Sequence, residues 1–223
     1  MICHVRHNPS TVVVLAGLAT EQVLDAVGRS LNVVLVRPGQ PPPGTDAGAS
    51  GIEAAAGALR RAAGITAPYV LVAGDPLSSV AAAWQAMWEV TAEPRGSDEF
   101  ELRAAEALAA WRAKRFELPD YYLVLAGETA PGGADAPGTG SSAGAGGPRA
   151  DFYLGPLRAV RPNRVSVAAG ASPAAQADAL LSELGSLRHG PWWPPLDEVL
   201  RTARGFYPGM LAESPSASQA SLL

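Results

Sequence analysis

The sequence has few of the residues that carry redox, metal or covalent chemistry. Its 223 residues include one cysteine, Cys3, one lysine, Lys114, and three histidines, His4, His7 and His189. A single cysteine excludes an internal disulfide and favours a reducing compartment. Cys3, His4 and His7 are residue types that bind zinc, but we expect no metal there because nothing obvious supplies a fourth ligand. We likewise expect no cofactor and no pair of a catalytic nucleophile and its base.

Charged residues and long apolar runs are also scarce. Charged residues make up 17% of the chain and its net charge is −4, so we expect no nucleic acid as a partner. No apolar run approaches the roughly 20 residues that cross a bilayer, which argues against a membrane partner. The apolar run at residues 12–19 is short and leads into a helix start at Thr20, unlike a signal peptide. We therefore expect a cytoplasmic protein.

Three motifs of common enzyme classes are missing or misplaced. The turn after the first predicted strand contains only Gly17, whereas a dinucleotide fingerprint needs three glycines. No phosphate-binding loop ending in Gly-Lys-Ser/Thr is present, and Lys114 lies in a different context. Residues 140–144 match Gly-x-Ser-x-Gly, but they lie in a low-complexity stretch and not between a strand and a helix. These observations argue against NAD or FAD enzymes, P-loop NTPases and serine hydrolases.

What the sequence does contain is an alternation of apolar runs and helix-like segments. Six short runs read as strands: TVVVLAG at 11–17, NVVLV at 32–36, YVLVA at 69–73, DYYLVLA at 120–126, DFYL at 151–154 and RVSVA at 164–168. Between them, apolar residues recur at helical spacing, with helix starts expected at Thr20, Ser50, Ser97 and Ser172. The pattern predicts an α/β fold with an open, mainly parallel, Rossmann-like sheet of about five or six strands and helices on both faces.

The domain organisation follows from composition. We expect a single α/β domain over residues 1–212. Residues 127–150 are almost entirely Gly, Ala, Pro, Ser and Thr, which is too little apolar content to order a segment. We predict a disordered loop there and a flexible tail at residues 213–223. The DFYL run echoes the DYYL run, and we interpret the two as neighbouring strands that begin alike.

The best candidate for a ligand site follows the third predicted strand. Gly74 and Asp75 would face the crevice at the carboxyl ends of the strands, where parallel sheets hold ligands. Asp75 is the leading candidate for a catalytic carboxylate. Glu128, which follows the fourth predicted strand, is a candidate second carboxylate. Ser78 and Ser79 are candidate contacts for a small anionic ligand. The alternative is structural, because Asp and Ser are the residue types that cap helices, and the two roles can coexist.

A second set of candidate residues lies further along the chain. Trp192 and Trp193 stand between prolines in an extended segment, where they either shield an edge of the core or form a surface for a partner. Arg158, Arg161 and Arg164 cluster around the last two predicted strands. They are either solvated surface residues or contacts for phosphate groups or for an acidic partner.

Two functions from different classes stay open. The first is a small cytoplasmic binding or regulatory protein without catalysis, with the tryptophans and the arginines as its interaction surfaces. The second is an enzyme that acts on a nucleotide or phosphorylated metabolite at the strand ends, with Asp75 as the functional carboxylate. We favour the first, because the sequence lacks an acid–base constellation and a fold by itself carries no function.

Overall fold

The computed structural model describes residues 10–17, 21–39, 47–88, 95–127 and 150–207, which contain a single five-stranded sheet. Its strands are β1 (Thr11–Ala16), β2 (Val33–Val36), β3 (Tyr69–Val72), β4 (Tyr121–Gly127) and β5 (Val165–Gly170). All neighbouring strands are parallel, in the order β2-β3-β1-β4-β5. The chain therefore has an open, parallel α/β sheet, and the predicted fold class is confirmed.

Helices cover both faces of this sheet. The longer ones are α1 (Glu21–Gly28), α2 (Ala47–Ala63), α3 (Ser78–Trp88), α4 (Arg95–Arg112), α7 (Pro173–Gly185) and α8 (Leu196–Gly205). A continuous helical segment between β4 and β5 consists of α5 (Ala150–Phe152), a π-helix (Tyr153–Leu157) and α6 (Arg158–Val160). None of the helices in these parts of the chain is long and apolar enough to cross a membrane.

The two faces of the sheet carry separate hydrophobic cores. Along β1, Val12 and Val14 pack on the first face, with α2, α3, α4, the π-helix and α8. Val13 and Leu15 pack on the second face, with α1 and α7. Successive side chains of a strand point to opposite faces, so a strand that is covered on both sides must be apolar throughout. This requirement explains why the strands are visible in the sequence as unbroken apolar runs.

The strand order creates a crevice at the carboxyl end of the sheet. The chain leaves β1 towards α1 on the second face, whereas it leaves the neighbouring β3 towards α3 on the first face. Such a reversal between adjacent parallel strands opens the crevice in which open α/β sheets bind ligands. Gly17 follows β1 and Gly74 follows β3, so these two glycines flank the crevice.

One predicted strand is wrong. Residues 151–154 are helical, and they form the end of α5 and the beginning of the π-helix. A run of three apolar residues, here 152–154, is too short for its periodicity to separate a strand from a buried helical turn. The tertiary contacts decide the outcome here, because Phe152 and Tyr153 are buried against Trp84 and Tyr122. The described sheet accordingly has five strands, and the last of them is the run predicted at 164–168.

Two predicted helix starts are also wrong. α2 begins at Ala47 and α4 at Arg95, so Ser50 and Ser97 lie inside their helices and cannot be N-cap residues. Capping signals are local, and a helix can extend past them wherever packing favours it. Ser172 is the predicted N-cap of α7, and its hydroxyl accepts a hydrogen bond of 3.2 Å from the N–H of Ala175. Of the loop predicted at residues 127–150, only the two ends are described, and they lie in β4 and α5; the rest of it and the predicted tail at residues 213–223 lie outside the described residues.

Candidate functional site

Asp75 lies at the carboxyl end of β3 and is buried. Its Oδ1 accepts a hydrogen bond of 3.0 Å from the N–H of Leu77, just before α3 begins at Ser78. An aspartate that accepts from the backbone two residues ahead forms a local turn of its own, which fixes the direction in which the chain leaves the strand. Asp75 thus stabilises the turn into α3, which is close to the capping role that the sequence suggested.

Two tyrosine hydroxyls converge on the same carboxylate. Tyr153 donates to Oδ2 of Asp75, and Tyr122 donates to Oδ1 over 3.3 Å. The two phenol rings also contact each other, with centroids 5.4 Å apart. Asp75, Tyr122 and Tyr153 therefore form one buried polar cluster, to which β3, β4 and the π-helix each contribute one residue. We call it the Asp75 cluster.

The π-helix positions one of these tyrosines. Tyr153 is its first residue, and the hydroxyl reaches Asp75 across 78 positions of sequence. Pro156 lies inside the same helix and has no N–H to donate, so a regular α-helical hydrogen bond cannot form at that residue. Single π-helical turns occur often at functional sites, where they change the direction of a side chain. Here the wide turn brings a phenol to a buried carboxylate.

Sequence reasoning missed both tyrosines, although a signal was present. The DYYL and DFYL runs each carry a tyrosine at the third position, Tyr122 and Tyr153 respectively. We interpreted the echo as two strands that start alike. The structure instead places one run in β4 and the other at the start of the π-helix, and only the tertiary fold brings the two hydroxyls together.

Electrostatics of the cluster favour protonated phenols. Burial raises the pKa of Tyr122 well above its usual value, and the negative charge of Asp75 and the neighbouring Tyr153 raise it further. A phenol in this setting is a hydrogen-bond donor and not a base. The carboxylate accepts three inward-directed hydrogen bonds, so the arrangement is suited to holding three elements in register.

The shifted tyrosine predicts how stability depends on alkaline pH. A proton held more tightly in the folded state stabilises folding below the usual tyrosine pKa of about 10, and this contribution is lost as the pH rises towards the folded-state pKa. We expect the free energy of unfolding to fall as the pH rises above about 10, and Tyr122→Phe to remove up to about 1.4 kcal/mol per pH unit of that slope. Urea denaturation at a series of pH values measures the slope.

The matched control for this experiment is Tyr207→Phe, because Tyr207 is 58% exposed and its ring contact with Trp88 survives the change. This control should keep the wild-type slope. An unchanged slope in Tyr122→Phe would show that the cluster does not hold the proton of Tyr122.

The other predicted ligand contacts have simpler surroundings. A Cβ atom at Gly74 would lie 2.4 Å from Cγ of Pro38, so the glycine allows the exit of β2 to pass close to the exit of β3. Ser78 is half-buried and begins α3. The hydroxyl oxygen of Ser79 is buried and has no hydrogen-bond partner among the described residues. Glu128 lies outside the described residues, so its predicted role as a second carboxylate stays a prediction.

The tryptophan candidates lie at the amino ends of the strands, opposite Asp75. We call this end of the sheet the amino edge and the end that carries Asp75 the carboxyl edge. Trp193 is buried, its indole Nε1 donates a hydrogen bond of 2.8 Å to the carbonyl of Pro119, and its ring meets that of Tyr122 edge-on at 5.7 Å. Trp192 is 41% exposed. Adjacent tryptophans thus have different environments: one seals the core below the start of β4, and the other presents its ring at the surface.

Arg164 holds the segment that carries the tryptophans. It precedes β5 and is buried, and its guanidinium donates hydrogen bonds of 2.8–3.1 Å to the carbonyls of Asp120, Gly190 and Pro191. The same group lies 4.7 Å from the ring centroid of Trp192. The structure therefore corrects the description of Arg164 as a solvated surface arginine. A guanidinium has five donors in a fixed plane and can satisfy several buried carbonyls at once.

Arg161 and Arg158 remain on the outside. Arg161 is partly exposed, and its Nε donates a hydrogen bond of 2.6 Å to the carbonyl of Trp192. Arg158 is exposed and lies three positions earlier, at the start of α6. Arg161 and Arg164 thus hold the backbone and the ring of Trp192, respectively. Tyr122 connects this region to the Asp75 cluster, because it contacts both Trp193 and Tyr153.

No group of three or more His, Cys, Asp or Glu side chains that could hold a metal ion occurs in the described parts of the chain. Cys3, His4 and His7, where we expected no metal, lie outside those parts. Searches against protein-family models, curated proteins and solved structures gave no match to the chain. What can be proposed about function therefore rests on the fold and on the two regions described above.

Proposed function

We propose that this chain is a non-catalytic binding protein that recognises a protein partner through the surface around Trp192. The observation that carries the proposal is the way this side chain is held. Its ring is 41% exposed, lies against the buried guanidinium of Arg164, and its carbonyl accepts a hydrogen bond from Arg161. A large aromatic ring that is already fixed loses little conformational entropy when a partner covers it.

Residue type supports the same proposal. Tryptophan, tyrosine and arginine dominate the energetic centres of protein interfaces, and here Trp192, Arg161 and Arg164 occur together. The region around Asp75, at the carboxyl ends of the strands, gives less support for a binding or catalytic function. The carboxylate of Asp75 is buried and accepts hydrogen bonds from Leu77, Tyr122 and Tyr153, which favours a structural role over that of a general base.

The alternative is that the chain is an enzyme that acts on a nucleotide or phosphorylated metabolite at the carboxyl ends of the strands. One observation favours it: the chain leaves β1 and β3 towards opposite faces, and open α/β sheets bind ligands at such a reversal. Gly17 and Gly74 flank this point, and Asp75 follows directly. The alternative requires Asp75 to serve substrate in addition to its internal hydrogen bonds.

The proposal predicts site-specific contact with a partner. A photocrosslinking residue in place of Asn163, which is exposed and borders Gly190, should give a discrete adduct in the cells that naturally make the protein. Trp192→Ala in the same chain should reduce the adduct about tenfold, because truncating an interface anchor commonly costs more than 1 kcal/mol. Gel mobility and mass spectrometry measure the adduct.

The matched control carries the same photocrosslinking residue in place of Leu102, which is 51% exposed on α4. It should give no such adduct. Equal yields from positions 163 and 102, or a yield from position 163 that Trp192→Ala leaves unchanged, would contradict the proposed surface.

A further inference from the structure

The arginines around Trp192 differ from many others in the molecule because they lack carboxylate partners. Within the described residues, Arg158, Arg161 and Arg188 make no ion pair. Five arginines elsewhere do, namely Arg37 with Glu21 and Asp25, Arg103 with Glu99 and Glu106, Arg115 with Glu53, Arg201 with Asp197 and Arg204 with Glu101. Three arginines of the amino edge therefore have no ion pair, as is also true of Arg29, Arg60, Arg61 and Arg112 elsewhere in the described residues.

Arg161 contacts the exposed tryptophan, whereas Arg158 and Arg188 are neighbours in the chain of Arg161 and of Trp192 respectively. Arg161 donates to the carbonyl of Trp192, and Arg158 is one helical turn earlier. Arg188 is exposed and lies four positions before Trp192, and its carbonyl accepts a hydrogen bond of 3.1 Å from the hydroxyl of Tyr121. The guanidinium of Arg164 also lies over the ring of Tyr121, with 5.1 Å between its central carbon and the ring centroid. The unpaired cations and the aromatic ring thus belong to one local surface.

We infer that the partner bound at this surface is an acidic peptide segment, with carboxylates that meet Arg158, Arg161 and Arg188 and an apolar side chain that covers Trp192. This inference rests on the proposed function and names the chemistry of the partner. The planar guanidinium matches a carboxylate with two parallel hydrogen bonds, and the covered ring supplies apolar area at the centre of the contact.

Charge favours a peptide over a nucleic acid. The chain as a whole carries a net charge of −4, which repels a long nucleic acid more strongly at long range than a short segment with few carboxylates. Three unpaired arginines neutralise few phosphates, and proteins that hold single strands use a groove of positive charge with several stacking rings. A short acidic segment needs only local complementarity, which is what the amino edge offers.

The experiment is a selection from a random 12-residue peptide library displayed on phage, with the full chain immobilised through a terminal tag. We expect binders enriched in Asp and Glu with at least one large apolar residue. As synthetic peptides, they should lose about tenfold in affinity for the double variant Arg158→Gln plus Arg188→Gln, and a similar factor between 50 and 500 mM salt. Trp192→Ala should abolish selection.

The control double variant is Arg60→Gln plus Arg112→Gln, which removes two exposed arginines from the last turns of α2 and α4. It matches the change in net charge and should leave affinity within twofold. Thermal melting of the two double variants should agree with wild type, since the substituted arginines are exposed.

The outcomes separate the two proposals. Selected peptides that depend on Trp192 but are not acidic, or that bind both double variants equally, would overturn the inference and leave the proposed function standing. Peptides that bind regardless of Trp192, or a selection without enrichment, would overturn both. Stronger binding of a single-stranded oligonucleotide than of any acidic peptide, lost in Trp192→Ala, would assign the surface to nucleic acid and overturn both.

Discussion

Asp75→Ala is expected to lower the free energy of unfolding by about 3–5 kcal/mol. The substitution removes the acceptor for the N–H of Leu77 and for the hydroxyls of Tyr122 and Tyr153, all of which stay behind in a buried region. Each buried donor that loses its partner costs about 1–3 kcal/mol, and the deleted side chain leaves a small void. Urea denaturation followed by far-UV circular dichroism at pH 7 measures the loss.

Asp75→Asn separates the shape of this side chain from its charge. The amide keeps Oδ1 as an acceptor for Leu77 and Tyr122, but its NH₂ group cannot accept from Tyr153. We expect a smaller loss, about 2 kcal/mol, that Tyr153→Phe partly relieves in the double variant because the unpaired hydroxyl is then absent. The exposed Asp151, replaced by alanine, is the control and should change stability by less than about 0.5 kcal/mol.

The same variant tests the alternative function. If Asp75→Asn keeps wild-type stability, the cluster is not structural. If, in addition, a nucleotide or sugar phosphate raises the melting temperature of wild type and not of Asp75→Asn, the carboxylate serves a ligand at the carboxyl edge. That pair of results would contradict the binding-protein proposal and support the enzyme. A large loss of stability without any ligand shift would support the structural role.

Trp193→Ala is expected mainly to reduce stability, and Trp192→Ala is expected mainly to reduce partner binding. Trp193 is buried, contacts Tyr122 and donates to the carbonyl of Pro119, so its truncation should cost about 3–5 kcal/mol. Trp192→Ala should cost less, about 1–2 kcal/mol, because its side chain is 41% exposed and it loses mainly its contact with the guanidinium of Arg164. Only Trp192→Ala should remove partner binding while the domain stays folded.

Denaturation must be followed by circular dichroism here, since each variant removes a fluorescent side chain. The conservative variants Trp193→Phe and Trp192→Phe complete the design. The first keeps the aromatic packing and loses the hydrogen bond to Pro119, so it should recover more than half of the loss. Equal destabilisation by Trp192→Ala and Trp193→Ala would show that both rings are core, and the proposed surface would then have no anchor.

Tyr122 makes the two regions of the molecule interdependent. It donates to Asp75 at one end and meets Trp193 edge-on at its ring, so the Asp75 cluster and the proline–tryptophan segment share one buried side chain. Residues that share a partner commonly show interaction free energies of 0.5–3 kcal/mol in double-mutant cycles. A double-mutant cycle between Asp75 and Trp193 is therefore expected to show an interaction free energy in this range.

The strands were predictable because their environment is simple. A strand that is buried on both faces needs an apolar side chain at every position, as in β1, β3 and β4. Such a strand therefore stands out in the sequence as a continuous run of apolar residues. The same simplicity explains the mistake at residues 151–154. A short apolar run satisfies the burial requirement of a strand and of a helical turn equally well, and only its contacts with Trp84 and Tyr122 separate the two.

The candidate residues were predictable only as residue types. Asp75 was found because an aspartate follows a buried strand, and the two tryptophans because prolines enclose them. Their roles were not predictable, since Arg164 looks like its neighbours Arg158 and Arg161 in sequence and differs only in what surrounds it. Burial and three carbonyl acceptors make it an internal support.

The sequence by itself determined the alternation of apolar strands and amphipathic helices, and with it the parallel α/β class, because local patterning and burial act on each segment separately. The tertiary structure alone decided the strand order, the π-helix, the convergence of two tyrosines on Asp75, and which tryptophan is exposed. Each of these depends on contacts between segments far apart in the chain, and hydrogen bonds across 47 and 78 positions have no local signature to read.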